Sequence, residues 1–103
     1  EFTVAPKIAV GYEPSYHEWL VEFEQMPDNL EMFAQLLDDT LRAKNVYYDD
    51  LISGNILARL HITPLRRGAF IDYMKRIGKL GGQNKVPRLS NDRVIAEGLT
   101  PYR

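Results

Sequence analysis

A chain of 103 residues, 45% hydrophobic and 26% charged, has room for one small domain with a single core and not for a large enzyme. A net charge of -1 speaks against a dedicated nucleic-acid binder, and the lack of cysteine excludes disulfide frameworks and thiolate metal sites. No apolar run approaches the ~20 residues of a membrane span, and the opening residues lack the basic-then-apolar order of a signal peptide, so a cytoplasmic protein is expected.

The chain begins without methionine, in what reads as a strand already under way, which predicts a piece cut from something longer. Residues 1–5 alternate weakly and Pro6 closes them, predicting a short strand, followed by a loop carrying Gly11 and Pro14. From Tyr16 to Glu24 the alternation sharpens into a second strand. His17, Trp19, Val21 and Phe23 are expected on the buried face and Glu18, Glu22 and Glu24 in solvent, with Leu20 the exception. Pro27 ends it.

Asp28, with Glu31 three residues on, resembles a capping box and opens a helix whose apolar stripe is Leu30, Phe33, Ala34, Leu37 and Leu41. Its acidic pair Asp38-Asp39 reads as ordinary surface charge. Fraying is expected near Lys44 or Asn45, then a further helical segment ending at Ser53-Gly54. The adjacent Tyr47 and Tyr48 are not able to share one buried face, so one of them belongs at a surface.

Leu57 to Arg66 reads as a third strand, with Pro64 marking a sheet edge or strand end. Phe70, Ile71, Met74 and Ile77 then describe a second amphipathic helix that stops at Gly78 or Gly81. Ser90 or Asn91 would cap a last helix over residues 92–99, leaving 100–103 as a tail. The expected fold class is α+β: a small mixed or antiparallel sheet packed with two to four helices, all in one domain over residues 1–103.

The two histidines, His17 and His61, have no partners at zinc-ligand spacing, so no metal site is expected. Two places could hold an anion. Arg66-Arg67-Gly68 precedes the second amphipathic helix, whose first amides are free to receive one. The stronger candidate is the loop Lys79 to Arg88, where Gly81 and Gly82 allow close backbone approach and Lys85 and Arg88 bring charge. Pro87 biases Val86 toward an extended conformation, which sets Lys85 on a stiff loop. Taken alone, this loop reads equally as a solvated turn.

The run Gly81-Gly82-Gln83-Asn84-Lys85-Val86-Pro87-Arg88, with Gly68-Ala69-Phe70 upstream, resembles the C-terminal end of the auxin-responsive acyl-acid amido synthetase family. Glu1-Phe2-Thr3, the strand from Tyr16 to Glu24, Phe33 to Asp38 and Asn45-x-x-Tyr48 are similar to that family's elements in the same order. Lys85 to Asn91 looks most like bacterial members. The resemblance implies the C-terminal lid domain of a larger adenylate-forming ligase, inactive by itself. Its partner would be a large N-terminal ATP-binding domain of the same polypeptide. The full-length parent would use ATP and Mg2+ to join a small-molecule carboxylic acid to an amino acid, with no cofactor held by this chain alone and no membrane or nucleic-acid partner.

By the same resemblance Lys85 matches the lysine delivered to the adenylation site. Gly81, Gly82, Gln83 and Arg88 would shape the loop or meet nucleotide. Asn84 stands where plant-like members resemble an aromatic, so no ring-stacking role carries over. The alternative, from the residues themselves, is a stand-alone anion- or RNA-binding module using Arg66, Arg67, Lys85 and Arg88, or a plain assembly domain.

Overall fold

Alternating residues in three short segments pair into one sheet, and helices cover both of its faces. The computed structural model describes residues 1–8, 10–82 and 84–103. In chain order the elements are β1 (Phe2–Lys7), β2 (Tyr16–Glu22), α1 (Leu30–Lys44), α2 (Val46–Ser53), β3 (His61–Leu65), α3 (Ala69–Arg76) and α4 (Val94–Gly98), then a 3-10 turn at Thr100–Tyr102. The sheet order is β1-β2-β3, with β1 antiparallel to β2 and β2 parallel to β3. A parallel pair needs a long crossover, and α1 with α2 supplies it. The mixed sheet with its helices is the expected α+β class.

Pro64 sits in β3, an edge strand, as the missing N–H requires. β1 is the other edge, and it runs through Pro6 instead of ending there.

The register puts Thr3, Ala5, Glu18, Leu20, Thr63 and Leu65 on one face. There Ala5, Leu20 and Leu65 join Ala69, Phe70, Tyr73 and Met74 of α3 and Ala96, Leu99 and Tyr102 of the C-terminal segment in a single core. Each large side chain buried this way contributes about 1.5–3 kcal/mol. Residues 100–103 are therefore not a loose tail: Tyr102 is buried, and its carbonyl accepts from the Arg66 amide at 2.8 Å. Gly98 lets α4 close on α3, because a Cβ there would stand 2.6 Å from Tyr73 Cε1.

β2 faces the opposite way to the sequence expectation. Glu18 and Leu20 point into the core, while His17, Trp19 and Val21 are half-buried toward α1 and α2. The two glutamates tolerate this because each is matched from afar. Glu18 accepts from Thr63 Oγ1 at 2.5 Å and pairs with Arg93 at 2.7 Å. Glu22 accepts from the Gly68 and Phe70 amides at 3.1 and 3.0 Å, capping α3. Burial pushes the Glu18 carboxyl up, but the Thr63 hydrogen bond and the charges of Arg93 and Arg103 outweigh it and hold it below the usual carboxylate range.

The second face is fastened by a polar group. Asp38, read in the sequence as surface charge, is 1% exposed, accepts a short hydrogen bond from the Tyr48 hydroxyl and accepts from the Leu60 amide at 3.3 Å. It thus ties α1, α2 and the approach to β3 together. Tyr48 is buried and Tyr47 is 84% exposed, which divides the adjacent tyrosines as expected.

Capping explains the boundaries. Asn29, not Asp28, caps α1 through the Met32 amide at 3.0 Å. Asn45 ends α1 with its own N–H and starts α2 by accepting from Tyr48 N at 3.1 Å. The last helix takes its first side-chain contact from Asp92, whose carboxylate accepts from the Val94 amide at 3.0 Å, and not from Ser90 or Asn91.

Candidate functional site

Four cations were picked out in the sequence, and the fold treats them differently. Arg66 pairs with Asp72 at 2.7 Å and lies 5.1 Å over the Tyr102 ring. Arg67 donates to the Glu24 carbonyl at 2.5 Å. The amides at the start of α3 are taken by Glu22, so the anion site expected at Arg66-Arg67-Gly68 is already filled by a carboxylate of this chain.

Arg88 is also committed. Its guanidinium meets Glu1 at 2.7 Å, lies 4.6 Å over the Phe2 ring, and Phe2 stacks in turn on Trp19 at 5.1 Å. The backbone around it is fixed to the outer edge of β1: Val4 N–H donates to the Arg88 carbonyl at 2.9 Å and Ser90 N–H to the Val4 carbonyl at 2.8 Å. Thr3 Oγ1 adds a bond to the Pro87 carbonyl at 2.7 Å. This parallel bridge between Val4 and Leu89 is invisible to a strand pattern, since it is one residue long.

Upstream, α3 stops at Gly78 (φ +73°), where left-handed backbone releases the chain into the loop. Gly81 and Gly82 also take positive φ, +94° and +62°, and an added Cβ would meet nothing within 4 Å at either. Their glycines serve backbone conformation and not close approach. Gln83 lies outside the described residues.

Between these glycines and the pinned segment stands Lys85. It is exposed and, among the described residues, makes no ion pair or hydrogen bond. Its side lies on the lip between two clefts that share Met74, Val86 and Pro87. One, of about 520 Å³, runs past Phe70, Ile71 and Leu80 to Glu1. The other, of about 400 Å³, runs past Tyr73, Ile77 and Ile95. A free ammonium beside apolar walls, on a loop held at its downstream end, is suited to meet an anion brought from outside the domain.

No group of three or more His, Cys, Asp or Glu is placed to hold a metal among the described residues. His61 is stacked on Tyr16 at 3.9 Å, and His17 on Tyr48 at 5.9 Å. Among the described residues no helix is long and apolar enough to cross a membrane.

A family model described as the GH3 family C-terminal domain matches residues 1–94. The chain belongs to the GH3 family. No curated protein matches it in sequence. Among solved structures it is similar to the GH3.15 acyl acid amido synthetase, with a TM-score of 0.76 and 17% identity over 99% of this chain and 20% of that one. The AtGH3.15 acyl acid amido synthetase in complex with 2,4-DB gives a TM-score of 0.75 and 16% identity, over 99% of this chain and 19% of that one. At such identities the likeness establishes the fold. This GH3 domain spans about one fifth of the length of those relatives.

Proposed function

We propose that this GH3 domain is the mobile C-terminal part of an ATP-dependent acyl-acid amido synthetase, and that Lys85 is the lysine it contributes to carboxylate adenylation. The observation that carries the reading is the unspent charge of Lys85, on a loop whose neighbouring arginine is paired with Glu1 and stacked on Phe2. The family match and the fivefold greater length of the similar structures support a large N-terminal domain in the same polypeptide.

Adenylation brings a carboxylate oxygen onto the α-phosphorus of ATP, breaking the bond to the β-phosphate and releasing pyrophosphate, and the two anions repel until a cation lies between them. An ammonium aimed at that point stabilises the charge developing in the transition state. Lysine fits as a compact charge on a flexible stem. The residues present suit the phosphate and carboxylate side of the reaction: Lys85 would meet them, and Asn84 stands beside it. Among the described residues there is no carboxylate cluster for Mg2+, which would be held by the rest of the polypeptide. After adenylation, an amino-acid amine displaces adenylate to form the amide. Gly81 and Gly82 give the loop the conformational freedom a second arrangement needs.

In the full-length enzyme, Lys85→Ala is expected to cut ATP–pyrophosphate exchange by roughly 10²–10³-fold, the usual cost of one charge-stabilising donor. The unfolding midpoint should not move, since Lys85 holds nothing in place. Exchange at the wild-type rate would remove Lys85 from the mechanism.

A further inference from the structure

The α1 side of the sheet carries a second concavity, formed without Lys85. Its larger lobe, about 440 Å³, lies between the sheet and the α1–α2 junction, walled by Val4, Trp19, Leu41, Tyr48 and Leu51. An adjoining lobe of about 330 Å³ shares Val4, His17 and Leu89 and ends at Ser90 and Asn91. Among the described residues no Asp, Glu, Lys or Arg lines either lobe. The cleft beside Lys85, by contrast, carries Glu1, Lys85 and Arg88.

That difference decides the class of occupant. An ion leaving water for an uncharged, largely apolar wall meets no compensating charge, so a charged ligand is penalised. The polar groups are few and uncharged: His17 is common to both lobes, Ser90 and Asn91 end one, and Asn45, Tyr47 and Tyr48 border the other. Ser90 Oγ is buried and has no hydrogen-bond partner among the described residues. Buried hydroxyls are nearly always satisfied, and turning this one about its Cα–Cβ bond into the cleft would let a polar atom of a ligand satisfy it. Burial lowers the His17 pKa, so the ring is neutral at pH 7 and offers one donor and one acceptor. An apolar body with a small set of orienting polar groups is the usual build of a small-molecule site, and the lobe volumes fall in the usual range.

We propose that this two-lobed cleft binds an uncharged, ring-sized amphiphilic molecule, its apolar body against Trp19, Leu41 and Leu51 and its hydrogen-bonding end at His17 and Ser90. Leu89 forms a shared wall and belongs to the segment bridged to β1, so the occupant also touches the stretch of chain that anchors the Lys85 loop. The site is separate from the adenylation chemistry and does not depend on it.

The test uses the full-length polypeptide labelled with 5-fluorotryptophan, with the Trp19 resonance assigned through Trp19→Phe. Titration with 2-naphthol, a neutral probe with one hydroxyl, should shift that resonance saturably. The anion 2-naphthoate should need at least about tenfold more ligand, the penalty for an unpaired charge. Leu51→Arg fills the apolar lobe from a side chain already 38% exposed, and Leu89→Arg from one 68% exposed. Both should abolish the shift. Ser90→Ala should weaken 2-naphthol by roughly 2–13-fold, the value of one hydrogen bond. The proposal is overturned if 2-naphthol gives no saturable shift, if 2-naphthoate binds equally well, or if binding survives both arginine variants. It is also overturned if a crystal structure of the whole polypeptide has its own chain seated in the cleft.

Discussion

Against α3 and α4 the sheet presses Leu20 and Leu65 into a continuous cluster with Phe70, Tyr73, Leu99 and Tyr102, whereas against α1 and α2 it leaves Trp19 half-covered and Phe33, Leu36 and Leu51 exposed. The first face is held by apolar area. The second buries fewer apolar side chains, Val4, Ala34, Tyr48 and Leu60, fastens them with one buried carboxylate, Asp38, shared among three segments, and keeps an open cleft beside it. Concavities occur on both sides, but of different make: the clefts beside Lys85 are edged by the closely packed side chains of α3, whereas the one on the second face lies over half-covered side chains.

Three measurements would break or sharpen that contrast. The largest effect belongs to the packed face: Phe70→Ala is expected to cost about 3–5 kcal/mol in urea unfolding, the range for truncating a buried aromatic side chain. A loss near 1 kcal/mol would mean that the core is looser than its burial suggests. On the second face, Asp38→Ala should cost about 1–3 kcal/mol by stranding the Tyr48 hydroxyl and the Leu60 amide. Its exposed neighbour Asp39→Ala should stay within about 0.5 kcal/mol. Equal effects at the two positions would dissolve the role given to Asp38.

The smallest effect is a separation in pH. His17 has a folded pKa below its ordinary 6.5, so the unfolded chain takes the proton more readily, and stability falls as pH drops from about 6.5. Glu18 also has a lowered pKa, but its ordinary value is 4.5: its contribution is present above 4.5 and is lost as pH falls from there through the folded value. The α1 face should therefore weaken first on acidification. His17→Phe, which keeps a ring against Tyr48, should flatten the urea midpoint between about pH 7 and 5 and leave the loss below 4.5 intact. An unchanged upper limb would show that His17 does not set it.

Much of this was legible in the residues. Every predicted strand and helix exists, Pro64 marks an edge, and the helix after Arg67 stops just short of Gly78. Strand ends, caps and the C-terminal turn were off by a few residues or by a missed packing contact, and the misplaced charges share one physical reason: their partners are distant in sequence. Glu18 and Glu22 looked solvated because their partners, Arg93, Gly68 and Phe70, lie more than forty positions away. Leu20, set aside as an exception, was the sign that the strand faced the other way. Asp38 was misread likewise, since its donors come from Tyr48 and Leu60. The glycines and Arg88 of the loop were visible, but not that Arg88 would be bound to Glu1 and Phe2. Nor does any periodicity announce the single bridge at Leu89.

That bridge has a bearing on how the domain is made. The Thr3–Pro87 bond joins residues 84 positions apart, so it belongs to the slowest class of contacts to form. During synthesis β1 emerges first, and its outer edge stays open until residues 87–90 arrive to cover it. The segment that completes the sheet is the same one that positions Lys85, so a nascent chain carries this lysine in a fixed place only once its folding is nearly finished.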